Sequence, residues 1–216
     1  MSEPLNPIGI IFFLTAAGLI PLFVVTMTGF LKISVVMFLV RNALGIQQTP
    51  PNMLLYGIAL VLTAYVSAPL MSNIYERLAA HPTDFKSVES LTATASELKQ
   101  PIQAYLIRYT QLRERQFFLS ATTRIWPEEA RADVKDDDLA VLMPAFVGSE
   151  LTRAFEIGFL LYLPFLVIDL VVSNVLMAMG MMMVSPTLIS IPLKLFLFVS
   201  VDGWSRLMHG LILSYS

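Results

Sequence analysis

The chain alternates on a coarse scale: apolar, then polar, then apolar. Its first apolar block has no charged residue from Pro4 to Leu31. That stretch is long enough to cross a hydrocarbon core of ~30 Å as a helix. A second charge-free run extends from Asn42 to Tyr75. Between the two lies RNALGIQQTPPN, residues 41–52, where Gly45 and the Pro50–Pro51 pair interrupt any continuous helix. Residues 1–75 are therefore expected to form an apolar helical hairpin. A further apolar block runs from near Ile157 to Leu213, interrupted by Asp169 and Lys194. With MAMGMMMVSP, Met177 to Pro186, as its turn, residues 144–216 are expected to form a second hairpin. Pro21, Pro69, Pro164 and Pro192 lie inside these segments, each removing a backbone hydrogen bond and so predicting a kink.

The middle of the chain carries the charge. Residues 76–156 hold 10 of the 14 basic and 13 of the 16 acidic residues. Within it, Glu97 to Ser120 has Ile102, Tyr105, Leu106, Tyr109 and Leu112 at helical spacing, with Pro101 placed in a first turn. Asp136–Asp138 precede LAVLMPAF and put negative charge where the next helix starts. Residues 76–143 thus read as a small, mostly helical polar domain. The fold class is all-α: two long kinked hairpins of membrane-like hydrophobicity flanking that domain.

Composition sharpens the class. Hydrophobic residues make up 56% and charged residues 14% of 216, against roughly 45–50% and about 25% in ordinary soluble domains. A membrane protein, or a subunit enclosed in an assembly, has this balance. The net charge of −2 and the lack of a basic patch argue against nucleic-acid binding. There is no cysteine, which excludes disulfides and Cys-based metal sites. Catalytic motifs such as G-x-S-x-G, H-E-x-x-H and the Gly-Lys phosphate loop are missing, so no enzymatic activity and no cofactor are expected. His81 and His209 stand alone and read as solvated and interfacial residues. Only Glu3 is charged before the first apolar run, which is not the basic start of a secretory signal, so that segment is expected to be retained.

Two groups of residues invite a functional reading. Asp169, Lys194 and Lys32 are charges in apolar sequence, where an unpaired ion costs several kcal/mol. A proton relay is one reading. A salt bridge that fixes helix or subunit register is the plainer one, with Lys194 or Lys32 as the partner of Asp169. The second group is Met177, Met179, Met181, Met182 and Met183. Core packing, a soft Cu(I) site and a deformable seal are the three options. Copper sites recruit Cys or His, and neither is near. A seal uses both properties of the side chain, apolar surface to exclude ions and rotatable bonds to yield.

The stretch PAFVGSELTRAFEIGFLLYLPFLVIDLVVSNVLMAMGMMMVSPTLISIPLKLFLFVSVDGW, 144–204, resembles the signature region of the FliP/SctR family of type III export-apparatus proteins. TGFLKISVVMFLVRNALGIQQTPPNMLLYGIALVLT, 28–63, is similar to the family as well. The resemblance implies a helical ring assembly, a pentamer joined by FliQ-like and FliR-like subunits, with further export-gate and needle or rod components as partners. It implies an inner-membrane protein, multi-pass by sequence, whose assembled core sits largely above the membrane plane on the periplasmic side. Such a ring encloses the entry channel for unfolded export substrates, and Met181, Met182 and Met183 match its gasket. Flagellar members commonly carry a cleavable signal peptide, so the N-terminus favours an injectisome member. An ion or proton channel or transporter using Asp169 is the alternative function.

Overall fold

The computed structural model describes residues 15, 18, 19, 21–80 and 88–216, with backbone alone at 88–93 and 95. His81, residues 4–14 and the reading of the N-terminus as retained lie outside the described residues. Among those described, every regular element is an α-helix. In order they are α1 (Pro21–Met27), α2 (Phe30–Ala43), α3 (Asn52–Ala80), α4 (Val88–Tyr109), α5 (Leu112–Ile125), α6 (Glu128–Arg131), α7 (Leu139–Ala178), α8 (Pro186–Ser200) and α9 (Gly203–Leu213). The all-helical class read from the pattern is the class observed.

By contacts the chain divides into two compact units, Met1–Gly29 with Ser67–Glu150 and Phe30–Val66 with Leu151–Ser216. The division falls inside α3 and inside α7. In the first unit, Leu106 of α4 and Leu142 and Phe146 of α7 form a fully buried cluster, with Met27, Ile102, Tyr105 and Tyr109 packed on it. Burial pushes the Tyr105 phenol above its ordinary pKa. The loop before α7 is tied to α4 by polar contacts. Lys99 pairs with Asp138 at 3.3 Å, and the Gln103 amide donates to the Asp137 carbonyl at 2.6 Å. Asp138 also accepts the Lys135 N–H at 2.9 Å, and that bond, with Lys99 beside it, holds its carboxyl below the ordinary value.

The helix expected over Glu97 to Ser120 is two helices, α4 and α5, parted at Thr110–Gln111. The physical reason is a backbone donor drawn out of the helix. Thr110 returns its hydroxyl to the Leu106 carbonyl at 2.6 Å, and the Gln111 N–H leaves the ladder for the Ser149 hydroxyl at 2.9 Å. Helix α4 starts at Val88, ahead of the expected Glu97, so Pro101 lies deep inside it rather than in a first turn.

In the second unit, α2 buries Ile33, Val36, Met37 and Val40, and α3 buries Leu55, Ala59 and Leu62. Both sets recur at helical spacing and give each helix one enclosed face. Phe30 and Phe38 meet Tyr56 at 6.0 and 5.0 Å, joining the arms of the first hairpin. Arg41 closes its turn, donating to the Pro50 carbonyl at 3.1 Å and the Asn52 side chain at 2.6 Å. The second hairpin departs from the simple expectation, because its return arm breaks after Ser200 and α8 and α9 bend by 62°. Asp202 takes the left-handed conformation at φ 52. Gly203 lies so close to the Phe198 ring that a Cβ there would sit 2.3 Å from it.

Helices α3 and α7, at 29 and 40 residues, are long and apolar enough to cross a membrane. The pairs α1–α2 and α8–α9 pass the same test when each is taken as one broken span.

Candidate functional site: the methionine loop and the ion pair beside it

Two sequence devices hold the methionine loop. At its start, Gly180 has φ 71. The Met181 N–H reaches the Leu176 carbonyl at 2.9 Å and the Gly180 N–H reaches the Met177 carbonyl at 3.0 Å. These are the two bonds of a Schellman cap, which needs a left-handed residue where Gly180 stands. At its end, Pro186 opens α8 with a fixed φ and no N–H to leave unpaired. Both helices therefore stop sharply, and the short link between them cannot fold back into either one.

The side chains of that link point away from the unit. Met183 is 101% exposed, Met182 84% and Met181 39%, while Met37 in the core is 0% exposed. Met177 and Met179 are exposed too. Packing within one copy of the chain does not use the three consecutive methionines. Among the described residues no group of His, Asp or Glu suited to a metal ion is found. The exposed thioethers are apolar and flexible, on a loop capped at Gly180 and ended at Pro186.

The charges are handled differently. Lys194 of α8 is buried and donates to Asp169 of α7 at 2.6 Å. It donates again to the carbonyl of Ala43, the last residue of α2, at 3.0 Å. One ammonium thus binds three helices, and it sits at a helix C-terminus, where positive charge is favoured. The pair is asymmetric, for the Lys194 side chain is 5% exposed and that of Asp169 37%. Lys32 is fully enclosed and lies elsewhere, its Nζ 3.4 Å from the Tyr215 ring centroid. The structure thus brings Asp169 to Lys194 and takes Lys32 to an aromatic face. His209 is exposed on α9.

Comparison with known proteins decides the family. The FliP family model matches residues 13–211. The chain belongs to the FliP family. Relatives place this FliP-family chain on the injectisome side. It is 50% identical over 210 residues to the Yersinia pestis "Yop proteins translocation protein R", covering 97% of each. It is 57% identical over 201 residues to the Sinorhizobium fredii "Probable translocation protein y4yL", covering 93% of this chain and 90% of that one. With the Salmonella typhimurium "Virulence protein YscR" it shares 44% over 216 residues, 100% of this chain and 98% of the other. It is a type III secretion export-apparatus protein and works with other secretion components. That membership, with the apolar helices, points to the bacterial inner membrane.

Sequence reasoning missed three parts of this arrangement. The stretch Met177 to Pro186 shows a turn, but not that Gly180 and Pro186 stop the two helices and so expose the methionines. The role of Tyr215 carries no sequence signal, since any nearby aromatic face would serve Lys32. Arg41 had a signal, a cation beside a Pro-Pro turn, and its burial follows from the two acceptors there.

Proposed function

We propose that the chain is one subunit of a ring that encloses the protein-conducting entry channel for unfolded secreted proteins, with the methionine loop as its seal. The ring is a pentamer completed by FliQ-like and FliR-like subunits, and it adjoins export-gate and needle or rod components. The reading assigns no catalysis. In the assembled state the core stands largely on the periplasmic side of the inner membrane, in contact with lipid.

The supporting observation is the exposure of Met182 and Met183 on a loop whose ends are fixed. Unbranched apolar side chains on a rigid frame can exclude water and ions by dewetting and still move aside for a passing chain. Backbone flexibility is not needed for this, because the rotatable bonds are in the side chains.

The test separates bulk from polarity. Replacing Met181, Met182 and Met183 by Ala should leave export running and let ions leak. Leu at all three should keep leakage low and slow export. Asp or Lys should wet the constriction and leak most. The measurement is small-solute uptake by cells carrying the complex, beside a secretion assay. Normal impermeability of an assembled triple Ala variant would refute the seal.

A further inference from the structure

The chain has 12 methionines and no cysteine, so thioethers are its only sulfur. Their surroundings differ sharply. Met37 is fully enclosed in the second unit, whereas Met182 and Met183 stand almost clear of it. Met53 and Met71 are exposed too, but each stands singly on α3. In the loop Met181, Met182 and Met183 are consecutive, and Met177 and Met179 adjoin them. Just beyond, Ser185 and Thr187 are exposed and share a hydroxyl–hydroxyl bond at 2.7 Å. Exposed hydroxyls suit water better than hydrocarbon, so the far end of the loop lies at an aqueous boundary. Water-borne reagents therefore meet these sulfurs before any other in the second unit.

We infer that the methionine loop is a reversible oxidation site, at which peroxide converts Met182 and Met183 to sulfoxides and thereby wets the seal. In the step, the sulfur lone pair attacks one oxygen of hydrogen peroxide. An S–O bond forms as the O–O bond breaks. The proton on the transferred oxygen passes to the departing hydroxide, which leaves as water. Sulfur loses two electrons and the peroxide gains them. Access to the sulfur decides which methionine reacts, and Met182 and Met183 offer it where Met37 does not. An oxygen added to Met37 would enter a packed apolar interior, so oxidation there goes with unfolding. On the loop the added oxygen meets no packed neighbour in its own unit, and the fold is kept. A sulfoxide is polar and accepts hydrogen bonds, whereas a constriction gates by dewetting only while its walls are apolar. Reductases return sulfoxides to thioethers, one enzyme for each epimer, so the change runs both ways. The effect on leakage rests on the seal proposed above; the oxidation itself does not.

The experiment treats the assembled complex with hydrogen peroxide and reads its peptides by mass spectrometry. Met182 and Met183 should carry the added oxygen about tenfold more often than Met37, at a dose that leaves the complex assembled. A second arm uses membrane vesicles that hold the complex. A brief peroxide pulse should raise small-solute uptake several-fold over the untreated level. With Met181, Met182 and Met183 replaced by Leu, the same pulse should leave uptake at that variant's own untreated level. If the triple variant does not assemble, Met182→Leu with Met183→Leu takes its place, and the peptide readout of the unaltered chain stands regardless. Incubation with both sulfoxide reductases should restore the thioethers and the low uptake together. Equal oxidation of the loop and Met37, an equal rise in uptake in the Leu variant, or leakage that outlasts the sulfoxides would each overturn the inference. Loop oxidation beside an impermeable triple Ala variant would instead remove the seal and leave the oxidation site standing.

Discussion

Changing Gly203 to Ala tests why the return arm of the second hairpin breaks. A Cβ at this position would lie 2.3, 2.4 and 2.6 Å from Cδ2, Cε2 and Cγ of Phe198. Ordinary contact begins at 3.4 Å, so the ring edge must retreat by about 1.1 Å, the difference between 3.4 and 2.3. The ring has little room to do so. Trp204 meets it edge-on at 5.3 Å and Phe165 lies at 6.2 Å. Forcing one carbon into a filled site costs ~1–3 kcal/mol. Loss of the aromatic geometry adds ~0.5–1.5 kcal/mol. The entropy gained by replacing a glycine returns ~0.4–1 kcal/mol. The net expectation is a loss of ~2 kcal/mol, a fall of roughly 4–8 °C in the midpoint of the detergent-solubilised complex. Phe198→Leu in the same chain should recover at least half of that loss, because a smaller, flexible side chain vacates the space. The assay is a double-mutant cycle in thermal midpoint, with Phe198→Leu alone as the fourth corner. Losses that simply add, within ~0.5 kcal/mol, would show that the close approach does not govern the site.

Other outcomes follow from the same contacts. Gly180→Ala meets no neighbour within 4 Å, so its cost is purely the positive φ, ~1 kcal/mol, and Gly180→Asn should cost less; equal losses would contradict the cap. Asp169→Ala, which strands the enclosed Lys194, should lower complex yield more than Lys194→Met, which leaves a carboxylate able to reach water; the reverse order by quantitative pull-down would contradict the asymmetry. The Lys135 N–H holds the Asp138 carboxyl below its ordinary value of 3.8. Its contribution is therefore present above the unfolded value and is lost as pH falls through the lower folded one. Protection of the loop before α7 from proteolysis should weaken below about pH 4 and do so less in Asp138→Asn, since the loss is the protonation itself.

The coarse fold was legible because it rests on charge-free length, the one signal that survives without context. The first hairpin turn was legible for a similar reason, since Gly45 and Pro50–Pro51 end helices by local geometry, while the second was legible only as the stretch Met177 to Pro186. Breaks with no local signature were hidden. Thr110–Gln111 parts two helices because Ser149, remote in sequence, captures a backbone N–H. The bend after Ser200 sits at the left-handed Asp202, and the Asp202–Gly203 pair is a turn signal, but nothing in the sequence says that Gly203 will meet the Phe198 ring. At the candidate site the residue types were readable and the partners were not. Nothing in the spacing of Lys32, Asp169 and Lys194 says which cation Asp169 takes, because the choice depends on how α2, α7 and α8 pack.

The bond from Lys194 to the Ala43 carbonyl joins residues 151 positions apart. A ribosome adding ~5–20 residues per second needs roughly 8–30 s to travel that distance. For that interval the end of α2 is without the ammonium that will close it, and the inner faces of α2 and α3 precede the helices that complete their unit. The first hairpin is thus a nascent intermediate with a defined lifetime. Synonymous changes that slow translation between these positions should lengthen its exposure to proteases, and loss of the last segment should leave a product that the cell clears rather than a shorter working subunit.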